Sequence, residues 1–132
     1  MVKVLLIAPS ERSVLSTAGD RPPLGILYIA SALKKDNHLV EVCDMNYITS
    51  ETLAVVLRDF NPDFVGVSFT TPLFIDAIKI KTLVRENCKA KIIAGGPHPS
   101  ACPESCKGFD FVVVGEGEEA ILEIVNDKNN LC

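Results

Sequence analysis

The stretch NPDFVGVSFTTPLFIDAIKIKTLVREN, residues 61–87, carries the pattern that decides the fold. It opens on Asn61–Pro62, a pair that ends a helix. An apolar, β-branched run follows from Asp63 to Phe69 without the polar alternation of a half-exposed strand. Such a run reads as a strand buried on both faces. The chain then turns helical over 71–87, with Thr71 as N-cap candidate and Pro72 at the first helical position. A doubly buried strand followed at once by a helix is the unit of a parallel, helix-covered sheet.

The same alternation continues on both sides. Upstream, Val2–Ala8 and His38–Asp44 read as strands. LGILYIASALKK (24–35) reads as a helix whose broad apolar face carries Leu24, Leu27, Ala30 and Leu33, with Ile26, Ile29 and Ala32 beside them. SETLAVVLRDF (50–60) reads as a second helix with Ser50 as N-cap and Glu51 in the first turn, where the helix dipole favours a negative charge. Downstream come strands at Lys91–Ala94 and Asp110–Val114, a short helical turn after Pro99, and a last helix over Glu118–Asn126. Strands alternating with helices imply right-handed crossovers. The expected fold is α/β: a Rossmann-like (flavodoxin-like), doubly wound, five-stranded parallel sheet of order 2-1-3-4-5.

Length and composition bound the function. One domain covering 1–132 is expected, since 132 residues are too few for two ordinary domains. A net charge of −4 argues against nucleic acid as partner. No apolar run approaches the ~18 residues of a membrane span, and the short apolar start MVKVLLIAP reads as a strand rather than a signal peptide. A cytoplasmic location is the resulting expectation. The five cysteines are odd in number and read as reduced thiols. Cys102 and Cys106 form C-x3-C, but Phe109 stands where the C-x3-C-x2-C motif of radical S-adenosylmethionine (SAM) enzymes needs a third cysteine. A metal site shared with Cys88 is the alternative reading of that pair, and no metal ligand is assigned.

In a doubly wound sheet, ligands bind beyond the C-terminal strand ends, at the switch in strand order. That edge collects the loop Pro9–Gly25, Ser68–Thr71, Gly95–Pro99 and Gly115–Glu118. These segments are small, hydroxyl-bearing or glycine-rich, so a ligand can approach the backbone closely. G-x-G-x-x-G and G-x-x-x-x-G-K-[ST] are both missing, which disfavours a dinucleotide or P-loop site. No plausible nucleophile–base set appears, so no catalytic residue is assigned. The edge looks built to hold a ligand.

At these loops the chain resembles the N-terminal cobalamin (B12)-binding domain of B12-dependent radical SAM enzymes and, more distantly, the cobalamin domains of methionine synthase and methylmalonyl-CoA mutase. The wider pattern is D-x-H-x-x-G, S-x-L and G-G. Here DRPPLG ends at Gly25, forty-two residues precede Ser68-Phe69-Thr70, and twenty-four more lead to Gly95-Gly96. The phrases RPPLGILYIASALK, PDFVGVS, GGPHPS and FVVVGEGEEAILEI resemble the radical SAM subgroup more closely. The resemblance runs from Val2 to about Val125. Two departures stand out: Pro22 replaces the cobalt-ligating histidine, and Thr70 replaces the leucine of S-x-L. A peptide-bonded proline has no lone pair for cobalt, so the resemblance implies cobalamin held base-off and histidine-off.

The resemblance implies roles residue by residue. Asp20 is a polar contact to the corrin or an N-cap for the Pro22–Pro23 helix start. Gly25 lets the helix pass close to the cofactor tail or packs helix on sheet. Ser68 bonds the dimethylbenzimidazole or tail region in a slot beside the third strand, with Thr70 next to it. Gly95 and Gly96 flank the tail where a Cβ would collide with it. Pro97 and His98 lie on the same edge, His98 as a donor to corrin amides or phosphate or as a surface histidine. Gly115, Glu116 and Gly117 contact the cofactor rim or a following domain. His38 falls at the opposite end of the sheet and is structural or exposed.

The implied function is the B12 module of a radical SAM methyltransferase or cyclase-like enzyme. Its SAM and [4Fe-4S] cluster would sit on a radical SAM domain in cis or in trans, and this chain would be the N-terminal part of the longer enzyme. The competing readings are a stand-alone module that binds cobalamin or a nucleotide-like ligand without catalysis, and a fold kept only for protein contacts.

Overall fold

The computed structural model describes residues 1–10, 24–115 and 117–127. Its elements run β1 (Lys3–Ala8), α1 (Leu24–Lys35), β2 (Leu39–Asp44), α2 (Ser50–Phe60), β3 (Phe64–Ser68), a 3-10 turn (Thr71–Leu73), α3 (Phe74–Asn87), β4 (Lys91–Gly95), α4 (Pro97–Ala101), a 3-10 turn (Pro103–Cys106), β5 (Phe111–Val112) and α5 (Gly117–Asn126). The five strands form one sheet of order β2-β1-β3-β4-β5, every pairing parallel. This is the expected doubly wound fold, with the order reversing between β1 and β3.

Side chains alternate across a strand, and two cores follow. Leu5 and Ile7 of β1 with Val65 and Val67 of β3 face α2 and α3, packing on Leu53, Leu57, Ala77 and Val84. Val4 and Leu6 with Phe64 face α1 and α5, packing on Ile26, Ala30, Leu33, Ile121 and Val125. The buried stripe of α1 is therefore Ile26, Ala30 and Leu33, while Leu27 of the expected face is 43% exposed.

Several local expectations are corrected. Not every strand is buried on both faces: β2 and β5 are the sheet edges, and Leu39 and Glu41 of β2 are exposed. A strand with one neighbour cannot be covered like an inner one. The cap of α2 is Thr49, not Ser50; its hydroxyl accepts from the Thr52 amide at 3.2 Å, while Ser50 is the first helical residue. Asn61 ends that helix in the left-handed region (φ 48°). Thr71 opens a 3-10 turn rather than capping α3, and its hydroxyl goes to His98. The helical turn expected after Pro99 begins at Pro97. No helix among the described residues is long and apolar enough to cross a membrane.

Candidate ligand cavity

At the C-terminal ends of β1, β3 and β4 a cavity of about 380 Å³ opens between α1 and α5. Strand parity builds it. Gly66 pairs in register with Leu6 on one side and Ile93 on the other, and one step further Ser68 pairs with Gly95. Small residues thus occupy the α1–α5 face just where the sheet ends, and the space above them is left unfilled. Ile26 and Ile29 of α1, and Val113 and Ile121 near and on α5, supply apolar walls. Gly25, Ser68, Gly95, Gly96, Pro97, Gly115 and Gly117 all line this one cavity. Residues from four separate segments are thereby brought together.

The glycines are not equivalent. Gly96 has φ +100°, and a Cβ on it would stand 2.7 Å from the Ser68 hydroxyl oxygen and 2.9 Å from the Phe69 amide nitrogen. The fold itself requires that glycine. Gly115 also has positive φ (+86°), and its amide donates to the Ser100 hydroxyl at 2.9 Å, tying α4 to the loop before α5. Gly25 and Gly95 carry no such requirement: their φ lies outside the left-handed region and a Cβ would meet no atom of the described residues within 4 Å. It would only fill the cavity. Gly25 is the second residue of α1, and neither its backbone conformation nor a described neighbour calls for glycine there.

The cavity's polar side chains are few. Ser68 is half-buried and its hydroxyl has no hydrogen-bond partner among the described residues. Glu118, in the first turn of α5, reaches the lining from the other wall. Gly66 was the lining residue most open to detection from sequence, because a glycine inside a strand signals close approach; the aliphatic wall residues are indistinguishable from core in sequence.

Thr70 and His98 are outside the cavity lining. His98 turns to the opposite face of the sheet, where it is buried, stacks on Phe69 with ring centroids 5.7 Å apart and approaches Phe74 at 4.8 Å. Both ring nitrogens are engaged: Nδ1 lies 2.9 Å from the Thr71 hydroxyl and Nε2 2.8 Å from that of Ser105. Ser105 donates its own hydrogen to the Cys102 carbonyl at 2.7 Å. It must therefore accept from Nε2–H, which leaves Nδ1 to accept from Thr71. His38 is likewise committed, at the other end of the sheet. Its Nδ1 accepts the Val2 amide at 3.1 Å, and Nε2 lies 2.9 Å from Asn126 Oδ1. Asp20 and Glu116 lie outside the described residues. Cys43, Cys88, Cys102 and Cys106 are free thiols, burial pushing that of Cys43 up, and no group of three metal-ligating side chains forms among the described residues.

Comparison with known proteins adds the following. A family profile described as the B12 binding domain matches residues 13–125. The uncharacterized methyltransferase PH0819 of Pyrococcus horikoshii is 34% identical over 96% of this chain, and the anaerobic magnesium-protoporphyrin IX monomethyl ester cyclase of Cereibacter sphaeroides is 28% identical over 94%. The chain spans 29% and 22% of the length of those two relatives. Among solved structures, the apo form of the cobalamin-dependent S-adenosylmethionine radical enzyme OxsB superposes with a TM-score of 0.76 at 21% identity, over all of this chain and 19% of that one.

Proposed function

The chain belongs to the B12-binding domain family, and on that premise we propose that it is the cobalamin module of a radical SAM methyltransferase or cyclase-like enzyme. The observation that carries the proposal is the pair Gly25 and Gly95, two glycines that face open cavity space and that the fold does not need. A ligand lying against both is the reason to keep a Cβ away. At about 380 Å³ the cavity falls near the lower end of the range of small-molecule sites, roughly 300–1,000 Å³. It suits part of a large cofactor: the nucleotide tail between α1 and α5, with the corrin outside over the strand ends. Ser68 offers its unpartnered hydroxyl to the tail, and Gly96 and Pro97 bound the slot from the turn after β4 and the start of α4.

The same reading has the cofactor base-off and histidine-off. Its support is that both histidines of the chain are committed elsewhere, His38 to Val2 and Asn126 and His98 to Thr71 and Ser105. Cobalamin when bound supplies a cobalt centre that can carry a methyl group; these residues supply the slot and leave the cobalt without a protein imidazole. SAM and a [4Fe-4S] cluster belong in this proposal to a radical SAM domain outside these 132 residues; the likeness to OxsB, a cobalamin-dependent S-adenosylmethionine radical enzyme, supports that assignment, and the named methyltransferase and cyclase relatives support the reaction classes.

The test is the visible spectrum of the purified protein mixed with hydroxocobalamin and with methylcobalamin. Binding with a base-off spectrum is expected, lost in Gly95→Leu while the circular dichroism is kept. A folded wild-type protein that binds neither cobalamin would overturn the proposal. The radical SAM half is tested on the gene, where a C-x3-C-x2-C motif is expected in the same or an adjacent reading frame.

A further inference from the structure

The polar groups of the cavity say more about what enters it. Among the described residues, Ser68 and Glu118 are the only polar side chains on the lining, and neither has a hydrogen-bond or ion-pair partner there. They come from different elements, Ser68 at the end of β3 and Glu118 in the first turn of α5, and the other described lining residues are aliphatic, glycine or proline. The two groups differ in what they recognise. A serine hydroxyl both donates and accepts, whereas an ionised carboxylate only accepts.

From this juxtaposition we infer that Glu118 is a specificity-determining residue, accepting a hydrogen bond from a sugar hydroxyl of the cofactor's nucleotide tail. The inference rests on the cobalamin reading above. Glu118 is exposed where it lines the cavity; its carboxylate disfavours an anionic group that displaces the water beside it, because like charges repel more strongly as water leaves. The α5 wall is therefore unsuited to a phosphate. A neutral hydroxylated sugar is suited to it, since a hydroxyl donated to a charged acceptor forms one of the stronger hydrogen bonds. The flat base then lies toward Ser68, Gly25 and Gly95, where a Cβ on either glycine would meet no atom of the described residues within 4 Å. Glu118 also sits where the α5 dipole favours a negative charge. A purely structural part for it would be confined to helix stability and would not distinguish one ligand from another.

The experiment compares cobalamin with cobinamide, which keeps the corrin and lacks the phosphate, sugar and base of the nucleotide tail; a gain of cobalamin affinity in Glu118→Ala would mark a phosphate beside the carboxylate and overturn the inference. Dissociation constants of hydroxocobalamin and of diaquocobinamide are measured for the wild type, Glu118→Gln and Glu118→Ala. Expected is a loss of about tenfold for cobalamin in Glu118→Ala, the size of one charge-assisted hydrogen bond, and a smaller loss in Glu118→Gln, whose amide oxygen still accepts. Cobinamide affinity stays the same in all three. Equal cobalamin affinity in wild type and Glu118→Ala would overturn the inference and leave the cobalamin assignment standing. So would a parallel loss of both ligands, which marks a structural role. A wild type that binds no cobalamin removes the assignment and this inference with it.

Discussion

A Cβ on Gly96 would stand 2.7 Å from the hydroxyl oxygen of Ser68. The turn after β4 is thus pressed against the end of β3, and the pressed surface is one end of the cavity. A Cβ on its neighbour Gly95 would meet no atom of the described residues within 4 Å. Adjacent glycines in one doublet serve different ends, one the fold and the other the open slot.

That difference sets the first prediction. Gly96→Ala combines a backbone region that only glycine occupies comfortably with a steric overlap, and is expected to destabilise by about 3 kcal/mol. Gly95→Ala is expected to change stability by less than about 0.5 kcal/mol. Urea denaturation of the two variants measures the contrast, and equal losses would refute the division of labour.

His98 is expected to act through the fold alone. His98→Ala removes two ring hydrogen bonds and a stacked contact, a loss of about 2 kcal/mol. His98→Phe keeps the contacts with Phe69 and Phe74 and should lose about half as much. If cobalamin is bound histidine-off, its visible spectrum in both variants matches that of the wild type. A change in the cobalt bands on substitution would instead mark His98 as a ligand.

His38 closes the other end of the sheet. His38→Leu leaves the buried Val2 amide and the Asn126 carbonyl without their partner. A loss of about 1–3 kcal/mol is expected. Thermal melts measure it, and no effect on cobalamin affinity is expected because the cavity lies at the far strand ends.

Asp110 supplies a pH dependence. Burial raises its carboxyl, but the hydrogen bonds from Arg85 and the Ile92 amide, with the charges of Arg85 and Lys91, outweigh that and hold it below its ordinary value. A lowered folded-state value means the ionised form stabilises the fold above the ordinary carboxylate range, about pH 4. That contribution is lost as pH falls through the depressed folded value. Asp110→Asn should therefore be less stable than wild type near neutral pH, with the gap closing in acid. A gap that stays constant from neutral to acid pH would contradict the assignment.

The sequence by itself determined the alternation of strands and helices, the strand order and the edge at which the cavity opens. Each rests on local regularities: β-branched runs without polar alternation, apolar spacing in the helices, and small residues at strand ends. Helix α1 coincides with its expected span, Leu24–Lys35, as does α2, Ser50–Phe60. Tertiary structure decided which face each edge residue serves. Ser68 and Phe69 are neighbours in the chain, yet strand parity sends one to the cavity and the other to the α3 core, and His98 follows Phe69. Gly66 and the aliphatic walls join the cavity for the same reason, because α1 and α5 cross on that side of the sheet. A chain read in one dimension lists what stands at the edge; only the packing of helices on a two-faced sheet separates the slot from the core behind it.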